Sequence, residues 1–149
     1  MYPEPAHSEE EVSAPRFDPD RQRQLQRETK ALGARSSSWH QQKGAELHLV
    51  AAVGLPAQLI AAVEKLPKGK GMAGQAWVRG VPVSTCDLQR DAENPAAETA
   101  KQLPLRAAVA IPIFDDHGTI SAVIGFAFDD KEDNLSRCIE AAEALASTP

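Results

Sequence analysis

The chain has 149 residues, of which 42% are apolar and only 5% aromatic, with a formal net charge of −5. That length suits one domain, which buries ~65–70% of its unfolded surface and needs no covalent or metal staple. Residues 1–20 hold six acids against Arg16 and the rest fifteen acids and fifteen bases, so no basic face exists for counterion release and no nucleic-acid partner is expected.

The N-terminus MYPEPAHSEEE is acidic and lacks the apolar core of a signal peptide. With Pro3, Pro5, Pro15 and Pro19, residues 1–20 cannot bury enough apolar area to offset their ordering entropy and are expected to be a disordered tail. The folded domain is then 21–149. DRQRQLQRETKAL predicts a helix from Asp20 to Leu32 that Gly33 closes, with a thin stripe of Leu25 and Leu32. ARSSSWHQQ and ELHLVAAVG predict a hairpin about Lys43-Gly44, with Trp39 on the first strand. Period two puts Leu47, Leu49, Ala51 and Val53 on one face of the second strand and His48 on the other. Pro56 opens a helix through Leu59, Ile60, Val63 and Leu66, which Pro67 stops.

Gly69, Gly71 and Gly74 then spell G-x-G-x-x-G, and Asp87 and Asp91 follow about 20 residues on, as in a dinucleotide fingerprint. That fingerprint requires a strand before its first glycine, and the residues preceding Gly69 read as a helix and a proline. GxxxxGK[ST] is also absent. The glycines are therefore expected to turn the chain, and AGQAWVRG to form a short helix ending at Gly80.

VPVSTC reads as a strand, and DLQRDAENPAAETAKQLPL as a polar loop with a helical turn over 96–103. RAAVAIPIFDDHGTISAVIGFAF predicts a hairpin of two strands apolar at nearly every position, hence a central pair covered on both faces. NLSRCIEAAEALAS predicts a helix with Leu135, Cys138, Ile139, Ala142 and Leu145 on one stripe and Asp133 or Asn134 as N-cap. AAVAIPIF and ISAVIGFAF fall short of the about 20 residues a bilayer span needs, so no membrane partner is expected. Cys86 and Cys138 make no disulfide framework, and His7, His40, His48 and His117 lie at no zinc spacing. A reducing, cytoplasmic compartment and no metal site follow.

In this order the motifs GKGMAGQAW, VPV with DLQRD, and PIF…GTI…IGF resemble the GAF domain family over residues 22–147. The resemblance implies an α+β fold, GAF/PAS-like, with a central antiparallel sheet of five to six strands and helices on both faces. It implies a small-molecule pocket under the segment joining the third and fourth strands. Free methionine-R-sulfoxide reductases of this family carry a cysteine where Ala73 stands and more in the following loop, whereas Asp87–Leu103 has none. Thiol catalysis is therefore not expected. The NKFDE signature of cyclic-nucleotide binders is missing too. Haem on His40 or His48, or a bilin on Cys86, is disfavoured by the scarcity of aromatics, and no cofactor is assigned.

Within the resemblance, Arg90 and Arg106 are the candidate partners of an acidic small molecule. Asp87 and Asp91 either hold those arginines or cap the loop as Asx turns. Trp39 and Trp77 are expected in the core. The expected protein is a non-enzymatic sensory module, a homodimer that signals to a separate protein. The alternative is a ligand-free scaffold whose small residues in AAVAI and SAVIG close the cavity.

Overall fold

The computed structural model describes residues 17–84, 107–129 and 135–147. Among the described residues six antiparallel strands form one sheet in the order β3-β2-β1-β6-β5-β4, with two of four helices on each face. The tail over 1–16, the helical turn over 96–103 and the N-cap at Asp133 or Asn134 lie outside the described residues.

Helix α1 (Pro19–Leu32) begins on Asp18, whose carboxylate accepts the amides of Asp20 and Arg21 at 2.9 and 3.2 Å. These bonds, that of Arg21 foremost, hold the Asp18 carboxyl below its usual pKa. Gly33 ends the helix in the left-handed conformation. Leu25 and Leu32, the thin stripe, are buried against the sheet.

Strands β1 (Ser36–Lys43) and β2 (Glu46–Val53) form the expected hairpin, but its facing differs from strict alternation. Their register steps from Trp39↔Ala51 to His40↔Leu49, which leaves Val50 as an extra residue. A bulge of this kind reverses parity along the strand. Leu47 consequently packs with Leu66 and Trp77, whereas Ala51 packs on the opposite face with Trp39 and Leu25. The carbonyl of Val50 accepts the Asp18 amide at 2.9 Å, so the bulge also seats the start of α1.

A second correction concerns the segment before the glycines. Helix α2 (Ala57–Val63) stops three residues short of Leu66, and Lys65–Pro67 forms β3, antiparallel to β2 at the sheet edge. Leu66, opposite Leu47, is buried there at 3% exposure. Pro67 sits in an edge strand, where its missing N–H is tolerated. Helix α3 (Gly71–Arg79) follows, then β4 (Val83–Ser84); of the expected VPVSTC strand, Val81 and Pro82 lie before β4 and the last two residues are outside the described ones.

Strands β5 (Ala107–Phe114) and β6 (Ile120–Phe128) are the predicted apolar hairpin, and β6 pairs β1 as well. Alternate residues feed two cores. Val109, Ile111, Ile124 and Phe126 pack under α1 and α4 (Leu135–Ser147), while Ala110 and Val123 pack with Ala76 and Trp77. Cys138 is fully buried, as a small apolar residue would be, and both tryptophans are core. On α4 the buried stripe is Cys138, Ala141, Ala142 and Leu145, with Ile139 partly buried against the same core, whereas Leu135, at 36% exposure, lies off it. No helix among the described residues is long and apolar enough to cross a membrane.

One buried polar link ties α1 to the sheet. The Thr29 hydroxyl donates to the Leu25 carbonyl at 2.6 Å, so the Ser37 hydroxyl must donate to Thr29 Oγ1, also at 2.6 Å. Thr29→Val leaves Ser37 without its acceptor in a dry site and is expected to cost about 1–2 kcal/mol in a urea titration. An unchanged midpoint would show that water replaces the bond.

Candidate ligand-binding site

The glycine run is folded onto itself. Gly69 and Gly71 have φ of +85° and +71°, a region open to glycine. Gly69 N–H donates to the Gly74 carbonyl at 3.1 Å, Lys70 N–H to Pro67 at 3.2 Å, and Gly74 N–H to Lys70 at 3.1 Å. The Gln75 amide closes the turn on the Gly69 carbonyl at 2.8 Å. A Cβ on Gly74 would lie 3.0 Å from the Pro67 carbonyl oxygen. Three of the amides that a phosphate cradle would need are thus engaged within the chain. A strand does precede the turn, contrary to the sequence reading, but it is an antiparallel edge strand, and among the described residues no parallel β-α-β crossover presents a pyrophosphate site.

What the turn does is place α3 beside a cleft of about 110 Å³ between the sheet and the α2–α3 layer. Its floor is made of small residues from three neighbouring strands: Ser36 and Ser38 of β1, Ala108 and Ala110 of β5, Gly125 of β6. Gly125 lies between Ser38 and Ala110 in the ladder, and a Cβ there would meet Ser38 Oγ at 3.1 Å. Leu59 and Val63 of α2 and Met72 and Ala73 of α3 supply apolar walls. No charged side chain among the described residues lines the space.

Its most distinctive polar group is His40, at 2% exposure. His40 Nε2 lies 2.8 Å from the Val63 carbonyl oxygen. A carbonyl only accepts, so Nε2 carries the proton and Nδ1 presents a lone pair. Burial lowers the His40 pKa from 6.5 to about 4, outweighing the opposing bond to Val63, and the ring is neutral at physiological pH. Nδ1 is buried without a hydrogen-bond partner among the described residues, a state that costs about 1–3 kcal/mol.

The four residues expected to bind, Asp87, Arg90, Asp91 and Arg106, lie outside the described residues, as does Cys86. Ala73, the position at which the sequence resemblance implies a cysteine in the reductases, lines the cleft. Cys138 sits across the sheet in the core under α1. His48 is on β2, between β1 and the edge strand β3, 3.1 Å from Glu46, and does not line the cleft. Among the described residues no three His, Cys, Asp or Glu converge as a metal set. Sequence reasoning missed Ser36, Ser38 and the cleft role of His40. Their shared parity in β1, opposite the core residue Trp39, was the available signal.

A six-stranded antiparallel sheet with a small-floored cleft on the face away from α1 and α4 defines an α+β domain. The GAF domain family model matches residues 20–148, and the chain belongs to that family. No curated protein matches the sequence. Among solved structures, it is similar to the GAF domain of a Coxiella burnetii phosphoenolpyruvate-protein phosphotransferase, with 21% identity and a TM-score of 0.67 over 94% of this chain and 86% of that one. It is also similar to free methionine-R-sulfoxide reductase from Neisseria meningitidis in complex with its substrate, with 21% identity and a TM-score of 0.64 over 92% and 78%. A third similar structure is a Staphylococcus aureus NreA protein mutated in its nitrate binding site, with 17% identity and a TM-score of 0.57 over 74% and 84%.

Proposed function

We propose that this chain is a non-enzymatic regulatory GAF domain that binds a small acidic molecule in the cleft and signals to a separate protein in the cytoplasm. The observation that carries the reading is the small-residue floor, Ser38, Ala108, Ala110 and Gly125, which leaves space beneath the α2–α3 layer. Absence of catalysis is supported by the methyl group of Ala73 and by walls that, among the described residues, hold no thiol or carboxylate. The reductase from Neisseria meningitidis shares the fold, at an identity too low to bring its chemistry here.

The acidic class of ligand rests on Arg90 and Arg106. Arg106 directly precedes Ala107 and has the same sequence parity as Ala108 and Ala110, both of which line the cleft. One guanidinium on a carboxylate or a nitrate-like anion forms a charge-assisted, two-pronged bond; among the fold's relatives, NreA has a nitrate binding site. Asp87 and Asp91 orient those arginines in this reading.

A thermal-shift panel of small carboxylates and inorganic anions tests it. At least one compound is expected to raise the melting temperature of the wild type. Ala108→Leu, which fills the floor, should abolish that rise, and Arg106→Ala should weaken binding about tenfold or more. A flat panel with a dimer in light scattering would favour the scaffold instead. Turnover of methionine-R-sulfoxide would favour the enzyme.

A further inference from the structure

Helix α2 is the one described helix that buries no residue. By contrast α1 buries Leu25, Thr29 and Leu32, α3 buries Ala76 and Trp77 among others, and α4 buries Cys138, Ala141, Ala142 and Leu145. Its seven residues are not held helical by propensity, since isolated helices under about 12 residues are marginal in water and need packing. Pro56 at its start supplies no side-chain cap. Its anchors lie at the far end, where the Val63 carbonyl accepts His40 Nε2–H at 2.8 Å and the Glu64 carbonyl accepts Leu49 N–H at 2.9 Å. Leu59 and Val63 of α2 border the cleft, with Ala108, Ala110 and Gly125 in its floor. The helix thus stands over space where the other three have core.

We propose that the cleft takes an uncharged apolar group, and that its arrival supplies the packing α2 lacks, so that occupancy is read as ordering of this helix. The inference rests on the cleft being a ligand site, and adds the chemistry of the group that enters and the element that responds. Leu55, Leu59, Leu66, Met72 and Phe126 border the space, and no charged side chain among the described residues does. Apolar cavities of about 150 Å³ stay dry and take up benzene or xenon. The roughly 110 Å³ here is of that order and suits a branched alkyl group or a small ring. A carboxylate would be desolvated on these walls without a partner, so an acidic ligand enters by its apolar end. An occupant that packs only against ordered α2 shifts the helix toward that state.

Hydrogen exchange and NMR on the intact chain test both parts, with benzene as the apolar probe and acetate as the charged one. In the free protein the amides of Ile60 to Val63 are expected to exchange at least about tenfold faster than those of Ala76 and Trp77. Benzene should shift the signals of Ala108, Ala110 and Gly125 and slow the α2 amides roughly tenfold, leaving those of α4 unchanged. Acetate should do neither. Ala108→Leu, which places hydrocarbon on the floor, should slow the α2 amides without any ligand and abolish the response to benzene.

Should Ala108→Leu fail to fold, the benzene comparison alone decides. Amides of α2 as slow as those of α3 in the free protein, or unaltered while benzene shifts the cleft signals, would overturn the role of α2. Acetate entering in place of benzene would overturn the apolar class and leave the cleft a ligand site. No response to either probe overturns the inference, and the anion panel then decides separately whether the cleft binds a ligand.

Discussion

Lowering the pH from 6.5 to 4 is expected to remove about 3 kcal/mol of folding stability, and His40 is the group responsible. Its pKa is about 4 in the folded chain, depressed by burial from 6.5. Between these values the unfolded chain binds the proton and the folded one does not, so stability falls as pH falls. Above 6.5 both states are neutral and below 4 both are charged, and the contribution is level in each range. At about 1.4 kcal/mol per pH unit, the two and a half units give that figure. The described carboxylates with resolved shifts, Asp18 and Asp115, are both lowered from 3.8 by backbone amide bonds, and they act below this window. Urea titrations at half-unit steps should therefore show a slope in the wild type that His40→Gln lacks. A wild-type stability level from pH 6.5 to 4.5 would refute the buried neutral imidazole.

Gly54→Ala should be the most damaging single-methyl change in the described part of the chain. Gly54 has φ of +74°, and a Cβ there would lie 2.5 Å from the Arg35 carbonyl oxygen and 3.4 Å from Ser36 Cα. Both are backbone atoms at the start of β1 and cannot rotate away. The left-handed conformation costs alanine about 1–2 kcal/mol before any clash. Together the two effects are expected to reach on the order of 3 kcal/mol, or roughly 10 °C in melting temperature for a domain of this size. The same residue sends the chain toward Leu55, which lines the cleft, and α2. Surviving Gly54→Ala protein should accordingly bind the cleft probes more weakly. A melting temperature within a degree or two of wild type would mean that β2 ends differently.

What could be read from the residues was what local chemistry decides. Asp115 accepts the amides of His117 and Thr119 at 2.8 and 3.0 Å, so the β5–β6 turn is written in a short stretch. Gly33 and Gly80 end their helices in the left-handed conformation by the same local logic. β3 was missed because three residues carry no period, and Leu66 satisfied a helical pattern as well as it satisfies a strand opposite Leu47. The bulge at Val50 was missed because it exists only in relation to β1, and it split a face that alternation had joined. The cleft was hidden for the same reason. Ser38, Gly125 and Ala110 are unremarkable separately, and become a floor only when β6 inserts between β1 and β5. Arg90, Arg106, Asp87 and Asp91 came from the family resemblance and rest on it still.

Consecutive residues of β1 serve two different neighbourhoods. The Ser37 hydroxyl is bonded to Thr29 of α1, and the same stretch, Ser36 to Ser38, borders the cleft. The strand is thus a party wall, with the terminal helix as tenant on one side and any guest molecule on the other. A substitution that swells the cleft side of this stretch is therefore expected to be felt by α1 as well, through the Ser37–Thr29 bond.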